Sequence, residues 1–278
     1  MPDDLNTLLE IARRALAPSA VALRTIRPSR VSEKTERDLV SDTDLAIERR
    51  IRAELREATP HLGFLGEEEG QDGDENSSWV LDPIDGTVNF VRGLPLYGIA
   101  LALVHCGEPV LGVVALPALG HTYWAATGHG AWCDGHRISP APTTRLTDAV
   151  VAVGDYRFGA DSHADNVPAH VLHRLLADRV LRVRMLGTAA ADLVFVADGT
   201  LDASITLGNN HWDMAAGAVI AREAGAAVTD HRGRAYTSAS ATTIAAASGL
   251  AADLHSLLGE IQLESIHTQP ESTKEKPC

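Results

Sequence analysis

The sequence predicts an α+β first half, residues 1–146, followed by an α/β second half, residues 147–262. Two stretches with helical spacing of apolar residues precede residue 60, strand-like stretches fill residues 79–126, and strands alternate with helices after residue 148. A chain of 278 residues can bury a large core in this arrangement. The polar segment 263–278 contains two prolines and few apolar residues, which predicts a disordered tail.

The first predicted helix begins at a capping aspartate, either Asp3 or Asp4. We expect it to end near Leu16, because Pro18 lacks the N–H that a continuing helix needs. The polar stretch 27–38 that follows predicts a loop.

The second predicted helix begins at Ser41 or Asp42, which are both good N-cap residues, and Pro60 ends it. Its apolar residues recur at i, i+4, i+8 and i+11, the spacing of one helix face. They are Ile47, Ile51, Leu55 and Ala58.

The rest of the chain is punctuated by Gly and Pro, which separate its apolar runs into strands and helices. The predicted strands are 79–81, 99–105, 110–116 and 123–126 in the first half and 150–153, 180–185 and 203–206 in the second. The predicted helices of the second half are 168–177, 188–197, 214–224 and 251–258.

The net charge of −13 disfavours nucleic acid as a partner, because like charges repel. It also disfavours an anionic small molecule, unless the acidic residues hold cations. Three cysteines without a CxxC pair predict reduced thiols. The N-terminus lacks the pattern of a signal peptide, and the apolar run 94–104 is too short to cross a bilayer. These observations predict a cytoplasmic protein with no membrane contact.

Three acidic motifs stand at the ends of predicted elements. Glu67 lies in Gly-Glu-Glu-Glu-Gly, Asp82 and Asp85 flank a proline, and Asp213 precedes an alanine-rich helix. Each has a simple explanation when taken alone: a solvated acidic turn, ordinary turn residues, and a helix N-cap.

Four carboxylates gathered together would repel one another unless cations pair with them. Oxygen ligands without Cys or His favour Mg²⁺, which prefers sites that a substrate phosphate completes. Gly86 and Thr87 open a predicted helix, whose N–H groups can bind such a phosphate. In this interpretation a strand delivers Asp82, and Pro83 stiffens the turn that brings Asp85 to the same cations.

The motifs resemble those of the inositol monophosphatase family, magnesium-dependent and lithium-sensitive phosphomonoesterases. The resemblance covers about residues 5–260. The three strong matches are Gly66-Glu67-Glu68, the block 79–90 (WVLDPIDGTVNF) and the block 212–217 (WDMAAG), and the weaker ones are 38–40 with 43–44 and 187–190. The resemblance implies a layered αβαβα sandwich, a site between the two halves, and a homodimer.

The resemblance also implies two or three Mg²⁺ ions in the active site, and inhibition by Li⁺. Glu67, Asp82 and the backbone carbonyl of Ile84 would hold the first ion. Asp82, Asp85 and Asp213 would hold the second, and Glu67 would also touch a third, looser ion. One ion would lower the pKa of a bound water and the other would stabilise the leaving alkoxide, with no covalent intermediate.

Thr87, paired with Asp44, would orient the nucleophilic water, and these two residues with Glu67 form the implied catalytic set. Simpler explanations are that Thr87 is a helix N-cap and that Asp44 only complements a helix dipole. Lys34 matches a loop near the third ion, and His211 is interpreted as a pocket wall. The implied substrate contacts are Asp85, Gly86, Thr87, Gly187, Thr188, Ala189, Thr206 and Asp213.

One position departs from the family pattern. Inositol-specific members carry a glutamate seven residues before the aspartate of the WDxAAG block, and here that position is Thr206. A shorter, uncharged side chain puts inositol specificity in doubt. Asn209, Asn210 and His211 could line the same pocket.

The function predicted from these residues is Mg²⁺-dependent hydrolysis of a small polyol or sugar phosphate such as inositol 1-phosphate. Alternatives within the same chemistry are histidinol phosphate, another sugar phosphate, or a nucleotide such as 3′-phosphoadenosine 5′-phosphate. A regulatory or scaffolding protein and an acidic metal-storage module are the alternatives of other kinds. The intact acidic set favours catalysis, because a scaffold does not need it.

Overall fold

The computed structural model describes residues 4–28, 30–35, 38–157 and 162–261. The helices are α1 Leu5–Ala22, α2 Asp42–Ala58, α3 Thr87–Arg92, α4 Ser162–Arg179, α5 Ala189–Ala197, α6 His211–Ala224 and α7 Ala251–Leu258. The strands are β1 Val31–Thr35, β2 Asp38–Ser41, β3 Gly63–Gly66, β4 Gly70–Asp72, β5 Ser77–Asp85, β6 Gly98–His105, β7 Glu108–Leu116, β8 His121–Ala126, β9 Ala131–Cys133, β10 His136–Arg137, β11 Val150–Val153, β12 Arg182–Arg184, β13 Ala203–Leu207, β14 Ala227–Thr229 and β15 Thr242–Ala246.

Two large sheets form the frame. The first has eight strands in the order β10-β9-β8-β7-β6-β5-β3-β4, and all its pairs are antiparallel except β3 with β5. The second has five strands in the order β12-β11-β13-β15-β14, of which β12, β11 and β13 run parallel. A parallel sheet collects functional residues where its strands end, because the loops at the carboxyl ends of the strands meet there.

Both sheets are buried on both faces. On β6, Ile99 and Leu101 share a core with α1 and α2, whereas Ala100 shares a core with α5 and α6. On β11, Val151 shares a core with α4 and α7, whereas Ala152 faces α5 and α6. Successive side chains of a strand point to opposite faces of its sheet, so each of the two sheets lies between two helical layers. The order of the five layers is α1 with α2, the eight-stranded sheet, α5 with α6, the five-stranded sheet, and α4 with α7. The predicted αβαβα sandwich is confirmed.

The middle helical layer fits between two sheets because its side chains are small. A Cβ on Gly112 of β7 would lie 2.3 Å from the backbone oxygen of Ala216 in α6. A Cβ on Gly217 of α6 would lie 2.5 Å from the Cβ of Leu193 in α5. This close approach fixes the position of α6, which carries one of the predicted site aspartates.

The first helix is longer than predicted. Asp4 caps it, as one of the two expected residues, but it continues through Pro18 to Ala22. Pro18 removes one helical hydrogen bond, yet the residues after it are tied down, because Ser19 and Leu23 are buried and the N–H of Leu23 donates to the oxygen of Ser19.

The stretch 27–38, predicted as a loop, contains β1 and the start of β2, which pair in an antiparallel hairpin. Val31, Ser32 and Glu33 are all exposed, so the sequence lacks the alternation of apolar and polar residues that would predict a strand here.

The second helix matches its prediction, with Ser41 as N-cap, but Ala58 is exposed. The short strands β3, β4, β9, β10, β14 and β15 were not predicted.

The prediction of reduced thiols holds for Cys133, which is free, and is wrong for Cys106, which takes part in a disulfide. In the described part of the chain, no helix combines the length and apolar character needed to cross a bilayer. The predicted tail 263–278 lies outside the described residues.

Candidate active site

The end of β5 brings two aspartates to one face of the sheet. Asp82 pairs with Ala100, and Asp85 pairs with Gly98, so three steps on β5 oppose two steps on β6. This is a β-bulge, and Pro83 lies within it, where a missing N–H is tolerated. Without the extra residue, Asp85 would point to the opposite face from Asp82. The bulge therefore lets both carboxylates face the α5–α6 layer.

Glu67 reaches Asp82 through the parallel pairing of β3 with β5. Gly66 pairs with Leu81, and the N–H of Glu67 donates to the oxygen of Leu81 over 3.1 Å. The next residue on β5 is Asp82, and the neighbouring Glu67 carboxyl group adds to the effect of burial in raising the pKa of Asp82. The parallel pairing therefore brings two carboxyl groups together in a place where negative charge is in excess.

A buried glutamate on α2 holds the Glu67 loop, and the sequence analysis missed it. Glu48 is fully buried, and its carboxylate accepts hydrogen bonds from the N–H groups of Glu68 and Glu69 at 2.8 and 2.9 Å. The guanidinium of Arg52 donates to the same carboxylate at 2.8 Å. A Cβ at Gly66 would lie 2.2 Å from the Glu48 carboxylate, so this contact requires glycine. The available signal was the Glu48–Arg52 pair at i, i+4 beside the apolar face of α2.

Asp85 is bound by the N-terminus of α5. The hydroxyl of Thr188 donates to its Oδ2, and the N–H groups of Ala189 and Ala190 donate to its two oxygens at 3.3 and 2.6 Å. Burial raises the pKa of Asp85 to about 6, although these hydrogen bonds oppose the shift. Thr188 and Ala189, predicted as substrate contacts, thus hold a predicted metal ligand.

Asp213 lies in the first turn of α6, near Asp85. The helix begins at His211 with Asn210 as its N-cap, so the simple explanation of Asp213 as the N-cap is wrong. The amide of Asn210 donates to Asp213 Oδ2 at 3.3 Å. Burial and the negative charges of Asp85 and Glu67 raise the pKa of Asp213 well above its ordinary value.

Thr87 links this acidic face to α2. Its hydroxyl lies 3.0 Å from the backbone oxygen of Ile84 and 3.3 Å from Asp44 Oδ1. Gly86, not Thr87, is the N-cap of α3, so the simple explanation of Thr87 is wrong. Asp44 is fully buried, also accepts from the N–H and hydroxyl of Ser41 in a capping box, and has a pKa raised by burial. One hydroxyl proton facing two acceptors leaves the oxygen lone pairs of Thr87 available to a water.

Gly86 turns the chain from β5 into α3. It has a φ of 87°, a left-handed conformation that favours glycine, and a Cβ there would lie 3.0 Å from the oxygen of Gly187. Asn89, also missed from the sequence, donates to the oxygens of Leu96 and Leu186 at 2.7 Å each. These bonds tie α3 to the loop before α5 and so bring Gly86 and Gly187 together.

The remaining predicted pocket residues lie around the carboxyl ends of the parallel strands. Thr206 is on β13, next to Gly154 at the end of β11, where a Cβ would meet the Thr206 side chain at 3.0 Å. Asn209 is occupied within the fold: it accepts from Thr243 at 3.2 Å and donates to the oxygen of Ser240 at 3.1 Å. Burial lowers the pKa of His211. The side chain of Lys34 lies outside the described part of the chain.

Asp192 on α5 is a further buried acid that the sequence analysis missed. It is 2% exposed, and its Oδ1 has no hydrogen-bond partner in the structure. Burial and the charges of Asp85 and Asp155 raise its pKa well above the ordinary value. The available signal was one acidic residue within the otherwise apolar sequence of α5.

Three aspartates of the acidic face have no cationic partner among the described residues. Asp82, Asp85 and Asp213 make no ion pair with any Lys, Arg or His that the structure describes. Burial, together with Glu67, Asp85 and Asp213, raises the pKa of Asp82 well above its ordinary value. Buried like charges of this kind are stable when cations lie between them, and an all-oxygen donor set fits Mg²⁺.

Comparisons with known proteins show which sequences and folds this chain resembles. The model of the inositol monophosphatase family matches residues 4–266. The chain is 38% identical to the probable inositol 1-monophosphatase ImpA of Mycobacterium tuberculosis over 93% of this chain and 97% of that protein. It is 34% identical to the Nus factor SuhB of Pseudomonas aeruginosa over 82% of this chain and 86% of that protein. The solved structure of the Thermotoga maritima IMPase superimposes with a TM-score of 0.80 at 33% identity, covering 94% of this chain and 98% of that one.

Proposed function

The chain belongs to the inositol monophosphatase family, and from this membership and its acidic face we propose that it is a Mg²⁺-dependent phosphatase of small phosphomonoesters. The observation that carries the proposal is the group of Glu67, Asp82, Asp85 and Asp213, brought from three separate segments to one face, where no described Lys, Arg or His neutralises the three aspartates. A structural role would not require such a group, because each buried carboxylate lowers stability unless it is paired.

The proposed ligands divide between two ions. Glu67, Asp82 and the carbonyl of Ile84 would hold one, and Asp82, Asp85 and Asp213 the other. Bound Mg²⁺ would supply a water of lowered pKa and would neutralise charge on the phosphate and the leaving oxygen. The bulge at Pro83 supports this division, because it places Asp82 and Asp85 on the same face of β5.

The chain's own groups would position the reactants. The Thr87 hydroxyl, 3.3 Å from Asp44, would orient the attacking water, accept a proton from it and pass its own proton to the Asp44 carboxylate. The N–H groups of Gly86 and Thr87, at the start of α3, would bind phosphate oxygens, and no side chain caps that helix in their place. Hydrolysis would then proceed by direct attack of water on phosphorus.

The proposed substrate carries its phosphate on a small polyol or sugar. The ImpA protein of M. tuberculosis is named an inositol 1-monophosphatase, which supports an inositol phosphate. Thr206 offers a hydroxyl where a carboxylate would bind ring hydroxyls more strongly, so histidinol phosphate, other sugar phosphates and nucleotide monoesters belong in the same test. A homodimer in the cytoplasm and inhibition by Li⁺ complete the proposal.

A regulatory function is the second candidate, because one relative is named a Nus factor. In this alternative the fold binds transcription machinery and the acidic face is secondary. The complete set of predicted ligands supports catalysis, and the net charge of −13 disfavours contact with RNA.

Phosphate release tests the proposal. Purified protein is incubated with inositol 1-phosphate, histidinol phosphate, sugar phosphates, AMP and 3′-phosphoadenosine 5′-phosphate, with Mg²⁺ or with EDTA. We expect Mg²⁺-dependent release, led by one substrate and lost in EDTA. Activity that resists EDTA, or no activity on any substrate, would overturn the proposal and favour the regulatory function.

A further inference from the structure

A second group of possible metal ligands lies at the other end of the eight-stranded sheet, on β8 and β9. His121 Nδ1, Cys133 Sγ and a carboxylate oxygen of Asp134 all lie within 4.8 Å of one another. His121 Nδ1 is 2.7 Å and Cys133 Sγ is 3.7 Å from Asp134 Oδ2. Among the described residues, no other trio of His, Cys, Asp or Glu meets this distance criterion.

Strand register places these side chains together. Cys133 pairs with Tyr123 across β8 and β9, and His121 is two residues before Tyr123 on the same strand. Directly paired residues and residues two apart point to the same face of a sheet, so His121 and Cys133 share a face. Asp134 then begins the tight turn to β10, with a φ of 49°.

The carboxylate is held in a defined orientation. The N–H of Thr122 donates to Asp134 Oδ1 at 2.9 Å, and the N–H of Asp134 donates back to the oxygen of Thr122 at 3.0 Å. These bonds leave Oδ2 directed toward His121 and Cys133. A metal ion at this place would meet an oxygen whose position the backbone of Thr122 already fixes.

We propose that His121, Cys133 and Asp134 form a site for a divalent transition-metal ion, with Zn²⁺ as the best match and water as the fourth ligand. Mixed nitrogen, sulfur and oxygen donors suit Zn²⁺ and Co²⁺, whereas Mg²⁺ requires oxygen. Tetrahedral Zn²⁺ places its ligand atoms roughly 3.3–3.8 Å apart. The His121–Asp134 separation of 2.7 Å must therefore widen slightly, and the imidazole of His121 has room to turn because its side chain is 49% exposed.

Binding would exchange protons for the ion. Cys133 is free, so its sulfur can bind an ion. The thiol proton would leave to solvent as the Zn–S bond forms, and the ion would replace the proton between His121 and Asp134. The ring of Tyr123 lies edge-on to that of His121, with 6.3 Å between the ring centroids, and its hydroxyl donates to Asp198 Oδ2 at 2.8 Å.

Metal titration of the full-length protein, stripped with EDTA and then held in excess Mg²⁺, tests this site. Co²⁺ serves as a spectroscopic probe and Zn²⁺ as a competitor. We expect one Co²⁺ per chain with a thiolate charge-transfer band, which Zn²⁺ removes. Cys133→Ser should abolish the band, and His121→Ala should weaken binding at least about 10-fold. His136→Ala, a control histidine that is exposed on neighbouring β10, should bind normally.

Two further measurements do not depend on the folding of the ligand variants. Alkylation of Cys133 in the wild-type protein, mapped by peptide mass, should slow at least about 10-fold in Zn²⁺. Asp82→Asn should retain the band, because that residue belongs to the separate acidic face. Absence of the band in the wild type, an unprotected Cys133, or loss of Zn²⁺ binding only in Asp82→Asn would overturn the proposal.

Discussion

Glu48 and Asp82 are both buried carboxylates close to the Glu67 loop, yet their surroundings are opposite. Glu48 receives two backbone N–H groups and the guanidinium of Arg52. Asp82 receives one N–H, from Ile84 at 3.0 Å, and faces Glu67, Asp85 and Asp213. Both are buried, but of the two only Glu48 pairs with a cationic side chain that the structure describes. A buried acid indicates a functional site when its surroundings lack the cation that it needs.

The difference in pairing between Glu48 and Asp82 also corresponds to a difference in their proposed roles. Glu48 fixes the loop that carries Glu67, whereas Asp82 would act on ions and substrate directly. Asp85 stands between these cases, since the N-terminus of α5 stabilises its charge and burial still raises its pKa. How completely each acid is paired determines how its replacement should change activity or stability.

Replacing Asp82 should have the largest effect. In Asp82→Asn, phosphatase activity should fall by about 10³-fold or more, because both proposed ions lose a ligand. The metal-free protein should be at least as stable as the wild type, since one of several repelling charges is removed. Phosphate release and urea unfolding in EDTA measure the two effects. Activity within 10-fold of the wild type would contradict the assignment.

Removing Glu48 should reduce stability strongly. Glu48→Ala leaves Arg52 and two N–H groups without their partner, which should lower the free energy of unfolding by about 3 kcal/mol. The control is Glu54→Ala, since Glu54 forms a similar i,i+4 pair with Arg50 on the surface, and the expected loss there is about 0.5 kcal/mol or less. Urea unfolding compares the two, and equal losses would remove the distinction between them.

The pH dependence of the metal-free protein tests Asp85. Its pKa rises from 3.8 to about 6 on folding, so the folded state binds the proton more tightly and stability is lost as pH rises between those values. The loss amounts to on the order of 2–3 kcal/mol for this single group. Unfolding in EDTA at pH 4 and pH 7 should show a smaller loss in Asp85→Asn than in the wild type. An identical pH dependence in both proteins would argue against the shift.

Asp192 should give the smallest effect. Asp192→Asn replaces a buried, unpaired acid by a neutral amide, which should stabilise the metal-free protein at pH 7 by about 1 kcal/mol. Asp253→Asn, an exposed aspartate on α7, is the control and should change little. Chemical denaturation in EDTA measures both, and a marked loss of stability in Asp192→Asn would show that the carboxylate has a partner in solution.

The sequence predicted most of the long elements because their apolar spacing was regular, as in α2 with Ile47 and Ile51. It failed where structure depends on backbone pairing, as in β1 and β2, whose side chains are exposed. It also ended α1 too early, because the packing of Leu23 outweighs the cost of Pro18. The predicted αβαβα order came from resemblance, and the alternating cores on β6 and β11 confirm it.

The residues of the candidate site were likewise only partly predictable from the sequence. The three acidic motifs were visible because short-range patterns placed them at the ends of elements. Glu48, Asn89 and Asp192 were missed because their importance depends on contacts far apart in the chain, such as Glu48 with the N–H of Glu69. The bulge between Asp82 and Asp85 is likewise a property of the β5–β6 register, which the local sequence does not determine.

The most direct test of the central claim is the effect of Mg²⁺ on stability. Thermal unfolding of EDTA-treated wild-type protein and of Asp82→Asn is measured at pH 7 with and without Mg²⁺ at 100 times its dissociation constant. Ions that pair with the acidic face should stabilise the wild type by about 2.7 kcal/mol per site, and should stabilise Asp82→Asn much less. No effect of Mg²⁺ on the wild type, or an equal effect on both proteins, would contradict the account.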